Sequence, residues 1–245
     1  MERFIIKLLF LPSSHFRGCR MAPENYKRYD LHCHTRYSAC SMQSTRDVLK
    51  VALKRNLSGL AITDHNQIAG ALEAQKLLRH EFKEAFSRKR FELVVGEEIL
   101  TDRCELLAYY LNGRIRPGNF YEVIDKIREQ GAICSIAHPY TVFRKGFRGD
   151  ISEVKSKVDG LECFNSRNLI PGRNRMAEKM AERLSLGKTA GSDAHSLIEI
   201  GRAYTLFSPS LSLKKAIRLR KAFVQGTSFF SPLGFVASAV SKRIR

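Results

Sequence analysis

Seven short runs of apolar and β-branched residues recur from Tyr29 onward, and most of them end in side chains able to bind a metal. The runs are YDLHCH, LSGLAITDH, FELVVGEEI, CELLAYYL, AICSIAHP, VDGLECFNS and KTAGSDAH. Helical-period stretches or short connections separate them. Between Ser44 and Asn56, Ser44 and Asp47 form a helix-start pattern, Val48, Leu49, Ala52 and Leu53 share one face, and Gly59 follows soon after. Residues 67–86, 119–130, 174–186 and 211–225 read as helices in the same way. Strands alternating with helices imply a largely parallel sheet covered by helices. For 245 residues one closed α/β barrel is more economical than two domains, because about 250 residues is the usual size of that architecture.

The ends of these runs carry the chemistry. Run one ends in His32-Cys33-His34, run two in Thr63-Asp64-His65, run three in Gly96-Glu97-Glu98, run five in His138-Pro139 and run seven in Ser192-Asp193-Ala194-His195. A parallel barrel builds its active site at the C-terminal ends of its strands. Period two sends His32 and His34 to one side, and Asp193 and His195 likewise, so both pairs can converge on one pocket. Cys33 is expected to turn away. Imidazoles and carboxylates without thiolate suit Zn²⁺, Mn²⁺ or Fe. A lone strand-end histidine is more often a hydrogen-bonded structural residue than a ligand, and His15 and His80, outside the pattern, take that reading. Agreement among five strand ends is what points to a metal site.

Charge and cysteines narrow the setting. The formal net charge of +18 favours polyanionic partners such as RNA, DNA, nucleotides or anionic lipid headgroups. The cysteines, Cys19, Cys33, Cys40, Cys104, Cys134 and Cys163, form no C-x-x-C pair, and several lie in apolar runs, which predicts free thiols in a reducing compartment. The run FIIKLLFL is broken by Lys7 and is shorter than the roughly 18 residues a membrane span needs, and no A-x-A cleavage site follows. No transmembrane segment and a cytoplasmic location are expected. Residues 1–28 read as an N-terminal extension, within which Met21 could itself open a complete domain. Residues 29–227 read as the barrel, and 228–245 as a basic, apolar tail that packs on a barrel face or docks on a partner or membrane.

Taken together, DLHCHT, AITDHN, GEE, AHP, ECFNSR and AGSDAH, in this order over roughly residues 29–207, resemble the PHP (polymerase and histidinol phosphatase) family of metal-dependent phosphoesterases. The resemblance implies a distorted (β/α)7 barrel with two or three divalent ions, Mn, Fe or Zn, at its C-terminal rim. By position, His32 and His34 with Glu98 and Asp193 would hold one ion. Glu98 would bridge to a second, which His138 also binds, and His65 and His195 would hold a third. Asp64 and Asn165 would orient these ligands from behind. Two departures stand out. Many members place an Asp in the loop after the first H-x-H, where this chain reads Tyr37-Ser38-Ala39-Cys40-Ser41. Many also carry a histidine where this chain has Glu105, at the start of Glu105-Leu106-Leu107-Ala108. Glu105 could complete the second site and shift preference towards Mn²⁺ or Fe, or be a solvated strand-edge carboxylate.

Two ions sharing Glu98 would generate hydroxide near neutral pH, neutralise phosphate oxygens and stabilise the leaving oxygen. Asp193 could take a proton from the attacking water, and His195 or a metal-bound water could protonate the leaving group. Arg167, Arg173 and Arg175 stand close enough in sequence to the rim to clamp phosphate. The loop Phe143-Arg144-Lys145-Gly146-Phe147-Arg148 could grip a single strand, or be a solvated basic loop with one anchoring Phe. The expected function is a metal-dependent phosphoesterase acting on nucleotides or short, single-stranded nucleic acids. The alternatives are a small-molecule monoesterase of the histidinol-phosphate or sugar-phosphate type, and a non-catalytic nucleic-acid-binding module whose site is degenerate at Ala39 and Glu105.

Overall fold

The computed structural model describes residues 25–87, 91–141 and 146–228. The extension up to residue 24, the tail from 229 onward and positions 143–145 of the basic loop lie outside the described residues.

Among the described residues nine strands form one sheet. They are β1 (Lys27–Cys33), β2 (Gly59–Ile62), β3 (Glu92–Leu100), β4 (Glu105–Tyr109), β5 (Ile133–Ile136), β6 (Gly160–Asn165), β7 (Gly187–Gly191), β8 (Ala203–Phe207) and β9 (Phe223–Gly226). Their order is β7-β6-β5-β4-β3-β2-β1-β8-β9. The first three strands pair in parallel, as do β5, β6 and β7, whereas β4 runs antiparallel to both of its neighbours and β8 and β9 add an antiparallel flap beside β1. The sheet curls until β7 meets β1 again. There Cys33 bridges Ala194 in parallel, the Asp193 amide donates to the His32 carbonyl at 2.7 Å, and the His34 amide donates to the Ala194 carbonyl at 3.0 Å. The expected barrel is therefore present and nearly closed.

The strand count and directions differ from the sequence expectation of seven mostly parallel strands. Between β3 and β4 only a tight turn intervenes, in which Thr101 Oγ1 accepts from the Cys104 amide at 3.1 Å. A parallel connection needs a crossover of a dozen or more residues, so this one must be a hairpin. The expected helix over 211–225 also splits. Its first part is α6 (Leu213–Arg218), Arg220 then takes a left-handed φ of 58°, and the chain continues as β9. The expected helix over 67–86 becomes α2 (Ala69–His80) and α3 (Lys83–Ser87).

The remaining helices follow their sequence signals. α1 (Thr45–Lys54) starts where Ser44 Oγ accepts from the Asp47 amide, and α4 (Phe120–Glu129) where Asn119 caps Tyr121 and Glu122. Val48, Leu49 and Ala52 of α1 and Val123, Ile124 and Ile127 of α4 bury their apolar face against the sheet. α5 (Arg173–Leu184) contributes Ala181 to the same cluster. A second cluster gathers Tyr29, Leu31, Val94, Leu107, Tyr109 and Phe207, joined by Leu213, Ala216 and Ile217 of α6. Ile217 also lies against Gly160 and Gly187, the first residues of β6 and β7, so α6 covers the end of the sheet opposite His32 and Asp193.

Candidate metal centre

Each expected rim residue is placed by a backbone contact of its own. β1 delivers His32 as its next-to-last residue, and His34 follows at the point where the chain bridges to β7. Beyond β2 the chain keeps pairing with β3 through a His65–Glu98 bridge, with the Glu98 amide on the Asp64 carbonyl at 3.2 Å. Glu98 is inside β3, which runs on to Leu100, and so is held more rigidly than a strand-end loop residue. Because β4 is antiparallel, its first residue, Glu105, reaches the rim that the other strands reach with their last. His138 and Asp193 stand just beyond β5 and β7 with left-handed φ values of 24° and 55°. Such backbone costs about 1–3 kcal/mol per residue and concentrates at functional sites.

The side chains converge on Glu98. Its Oε2 lies 3.3 Å from His32 Nε2, 3.4 Å from His34 Nε2 and 3.0 Å from His65 Nδ1, while Oε1 lies 3.1 Å from His138 Nε2. Asp193 Oδ1 is 3.3 Å from His34 Nε2 and 3.7 Å from His32 Nε2, and 3.5 Å from His195 Nδ1. Glu105 Oε2 stands 3.6 Å from His138 Nε2. All of the expected ligand residues, His32, His34, His65, Glu98, Glu105, His138, Asp193 and His195, thus share one cluster, and only His65 and Glu105 in it are more than marginally exposed.

Behind them sits a layer that fixes the imidazole tautomers. His32 Nδ1 donates to Glu162 Oε1 at 2.9 Å, which turns Nε2 towards the cluster. His195 Nδ1 donates to the Asp193 carbonyl at 2.8 Å with the same result. Ser38 Oγ donates to Asp64 Oδ1 at 2.5 Å and lies 3.3 Å from His34 Nδ1. Asp64 also accepts the Thr35 amide and hydroxyl at 2.7 and 2.6 Å, so it braces the loop after β1 and stays out of the cluster. Asn165 Nδ2 joins Asp193 Oδ2 at 3.0 Å to Glu162 Oε2 at 3.1 Å.

Charge in the cluster is unbalanced. Burial opposes a charged His32, yet the carboxylates of Asp193, Glu98 and Glu162 outweigh it and hold the imidazole well above its ordinary pKa. Burial likewise opposes ionised Glu98, but His32 and His65 keep it well below the usual carboxylate range. Glu105 is pushed up by burial and by Glu98. Burial and the neighbouring His65 lower His34. The carboxylates thus favour cationic partners, which His32 and His65 supply as protonated imidazoles and a divalent ion could replace.

Comparison with known proteins fits this geometry. The sequence profile of the PHP domain matches residues 30–131, and that of the PHP-associated region matches residues 171–222. The uncharacterized protein MJ1587 of Methanocaldococcus jannaschii is 37% identical over 150 residues, covering 56% of this chain and 81% of that protein. The chain belongs to the PHP family. The resemblance carried by the sequence motifs is thereby borne out over both matched segments. A two-domain protein from Bacteroides vulgatus, described as containing a predicted PHP-like metal-dependent phosphoesterase, superposes with a TM-score of 0.67 at 14% identity, over 91% of this chain and 72% of that one. The lesion-specific endonuclease PfuEndoQ of Pyrococcus furiosus superposes with a TM-score of 0.56 at 17% identity, over 81% of this chain and 57% of that one.

The donor set of this PHP barrel suits divalent ions on its own chemistry. The Nε2 atoms of His32 and His34 are buried and make no hydrogen bond, although both face carboxylate oxygens. Imidazole nitrogens and carboxylates aimed at one another are stabilised by a proton or a metal cation between them, and one divalent ion can serve several of them at once.

The expected phosphate-binding arginines are spread out. Arg173 and Arg175 open α5, half-buried and exposed respectively, next to Asn174, which holds the Asn165 backbone. Arg167 is buried, with Nε 3.9 Å from Glu199 Oε1, and Glu199 in turn accepts the His195 amide at 2.9 Å. In the basic loop, Phe147 is turned inward onto Phe120 at a ring separation of 5.9 Å. Two participants were not assigned from sequence. Glu162 carried a signal, an acid in the middle of the apolar run GLECFN. Cys40 carried none beyond its place in the loop after His34. The described cysteines, Cys33, Cys40, Cys104, Cys134 and Cys163, are free and buried, and Cys33 packs in the apolar core. No helix among the described residues is long and apolar enough to cross a membrane.

Proposed function

We propose that this PHP barrel hydrolyses phosphate esters of nucleotides or short single-stranded nucleic acids, using two or three divalent ions. The observation that carries this reading is the convergence of His32, His34, His65 and His138 on the two oxygens of one buried carboxylate, Glu98. His32, His34, Glu98 and Asp193 would hold one ion, Glu98, His138 and Glu105 a second, and His65 and His195 a third. Bound there, such ions lower the pKa of water, neutralise phosphate oxygens and stabilise a leaving oxygen.

The chain's own residues supply the rest. Asn165 holds Asp193 Oδ2, so Oδ1 faces the imidazoles and can accept the proton of the attacking water. Arg173 and Arg175 receive the phosphate, and Arg167 steadies the His195 loop through Glu199. The net charge of +18 and the endonuclease that shares this fold support a polyanionic substrate.

The test is hydrolysis by chelator-stripped protein with Mn²⁺, Fe²⁺ or Zn²⁺ restored. Substrates are end-labelled short RNA and DNA, nucleoside phosphates and generic phosphate monoesters. Turnover is expected to return with metal and to fall by more than about 100-fold in His34→Ala, whose circular dichroism should match the parent. Faster turnover of small monoesters would move the substrate class. Salt-sensitive binding with no turnover on any metal would remove the catalytic reading.

A further inference from the structure

We infer that Cys40 is a thiolate ligand of the third ion, completing with His65 and His195 a site that the loop after His34 otherwise leaves one donor short. The inference rests on the reading that this rim holds divalent ions, and concerns which atoms do so. That loop reads Ser38-Ala39-Cys40-Ser41 and contains no carboxylate.

The fold brings the sulfur to the cluster. Cys40 is 3% exposed, and one donor atom from each of His34, Cys40, His65 and His195 lies within 4.8 Å of the others. Tetrahedral coordination at about 2.0 Å to nitrogen and 2.3 Å to sulfur separates donors by about 3.3–3.7 Å, so a small contraction around an ion suffices.

The loop is tied down on both sides of Cys40. The Ser41 amide donates to the Ser38 carbonyl at 3.1 Å, and Ser41 Oγ reaches the His195 carbonyl at 3.3 Å. Gln43 Nε2 donates to the Ala194 carbonyl at 3.0 Å and also to the His34 carbonyl. The histidines are committed to the right nitrogen. His195 Nδ1 is held by the Asp193 carbonyl and His65 Nδ1 faces Glu98, so each keeps Nε2 for a ligand. With His34 turned towards Glu98 and Asp193, the third ion has three protein donors and an open corner, the arrangement of catalytic rather than structural sites.

A thiolate changes what the site prefers. Sulfur favours Zn²⁺, Fe²⁺ or Co²⁺ over the harder Mn²⁺ and Mg²⁺, so the third position should differ in metal preference from the carboxylate-rich pair. On coordination the Cys40 thiol loses its proton to solvent and the sulfur donates its lone pair to the ion.

The full chain loaded with Co²⁺ is the probe. The parent should show the near-ultraviolet absorption of a thiolate bound to Co²⁺. Cys40→Ser should lose that absorption and bind one ion fewer per chain. Cys40→Asp should restore the ion without the absorption. X-ray absorption of the Zn²⁺-loaded parent, which needs no variant, should show a sulfur neighbour at about 2.3 Å. Absence of that sulfur, or an unchanged cobalt spectrum in Cys40→Ser, overturns the assignment while leaving the phosphoesterase reading in place. A parent that binds no ion at all overturns both.

Discussion

Glu162 touches more of the centre than any residue behind it. Its Oε1 takes the His32 Nδ1 proton at 2.9 Å, and its Oε2 takes the His138 amide at 2.8 Å and the Asn165 amide group at 3.1 Å. Removing it frees one imidazole to change tautomer and leaves two buried donors unsatisfied, which costs about 1–3 kcal/mol each. Glu162→Ala should weaken metal affinity about 10–100-fold and Glu162→Gln less, because the amide keeps an acceptor. Competition against a chelating dye measures this, and equal affinities in parent and Glu162→Ala would deny Glu162 a positioning role. His32, His34, Glu98 and Asp193 were legible in the sequence because donors at period two on several strand ends have no simple apolar explanation. Glu162 was not, since one acid inside an apolar run reads the same whether it faces solvent or an imidazole. Cys40 was hidden for another reason: spacing alone does not say which residue of a loop turns inward.

At the level of elements, strand existence was readable and strand direction only in part. β1, β2, β5, β6 and β7 follow from short apolar runs buried on both faces. The reversal at β4 depends on the length of the Thr101–Cys104 turn, and it is what carries Glu105 to the rim. β8 bears no candidate ligand, and β9 lies at the end of the stretch 211–225 that reads as a helix. Closure of the barrel is the element-scale feature with the sharpest requirement. A side chain at Gly191 would collide with the Cβ and backbone of His32, because β7 and β1 approach there without room for a Cβ. Gly191→Ala should cost about 1–3 kcal/mol through overpacking, read as a Tm lower by about 2–12 °C for a chain of this size. Metal affinity should fall with it, since the displaced strand carries His32. Gly113→Ala is the control, with nothing within 4 Å of the added carbon. Equal melting of the two variants would mean that β1 and β7 are not held this closely.

Across the whole molecule, charge is sorted by depth. Asp30, Asp64, Glu97, Glu98, Glu162, Asp193 and Glu199 are buried, whereas of the described lysines and arginines Arg167 alone is. The outer surface is accordingly more positive than the net +18 conveys, and bound divalent ions would offset part of the buried negative charge. Such a surface draws in an extended polyanion through many phosphates, but acts on a single phosphate only within a Debye length of about 8 Å at physiological ionic strength. The two substrate classes therefore separate by salt dependence. If about three phosphates of a single strand are neutralised, affinity should scale with salt to about the power −2, so KM for a short oligonucleotide rises about 20-fold between 50 and 200 mM salt. KM for a small phosphate monoester should change only a few-fold, because its phosphate meets the buried centre and few surface charges. Steady-state kinetics on both substrates across that range decide the matter. Parallel salt curves would mean that the surface charge takes no part in substrate capture, and that the barrel selects its ester at the metal centre alone.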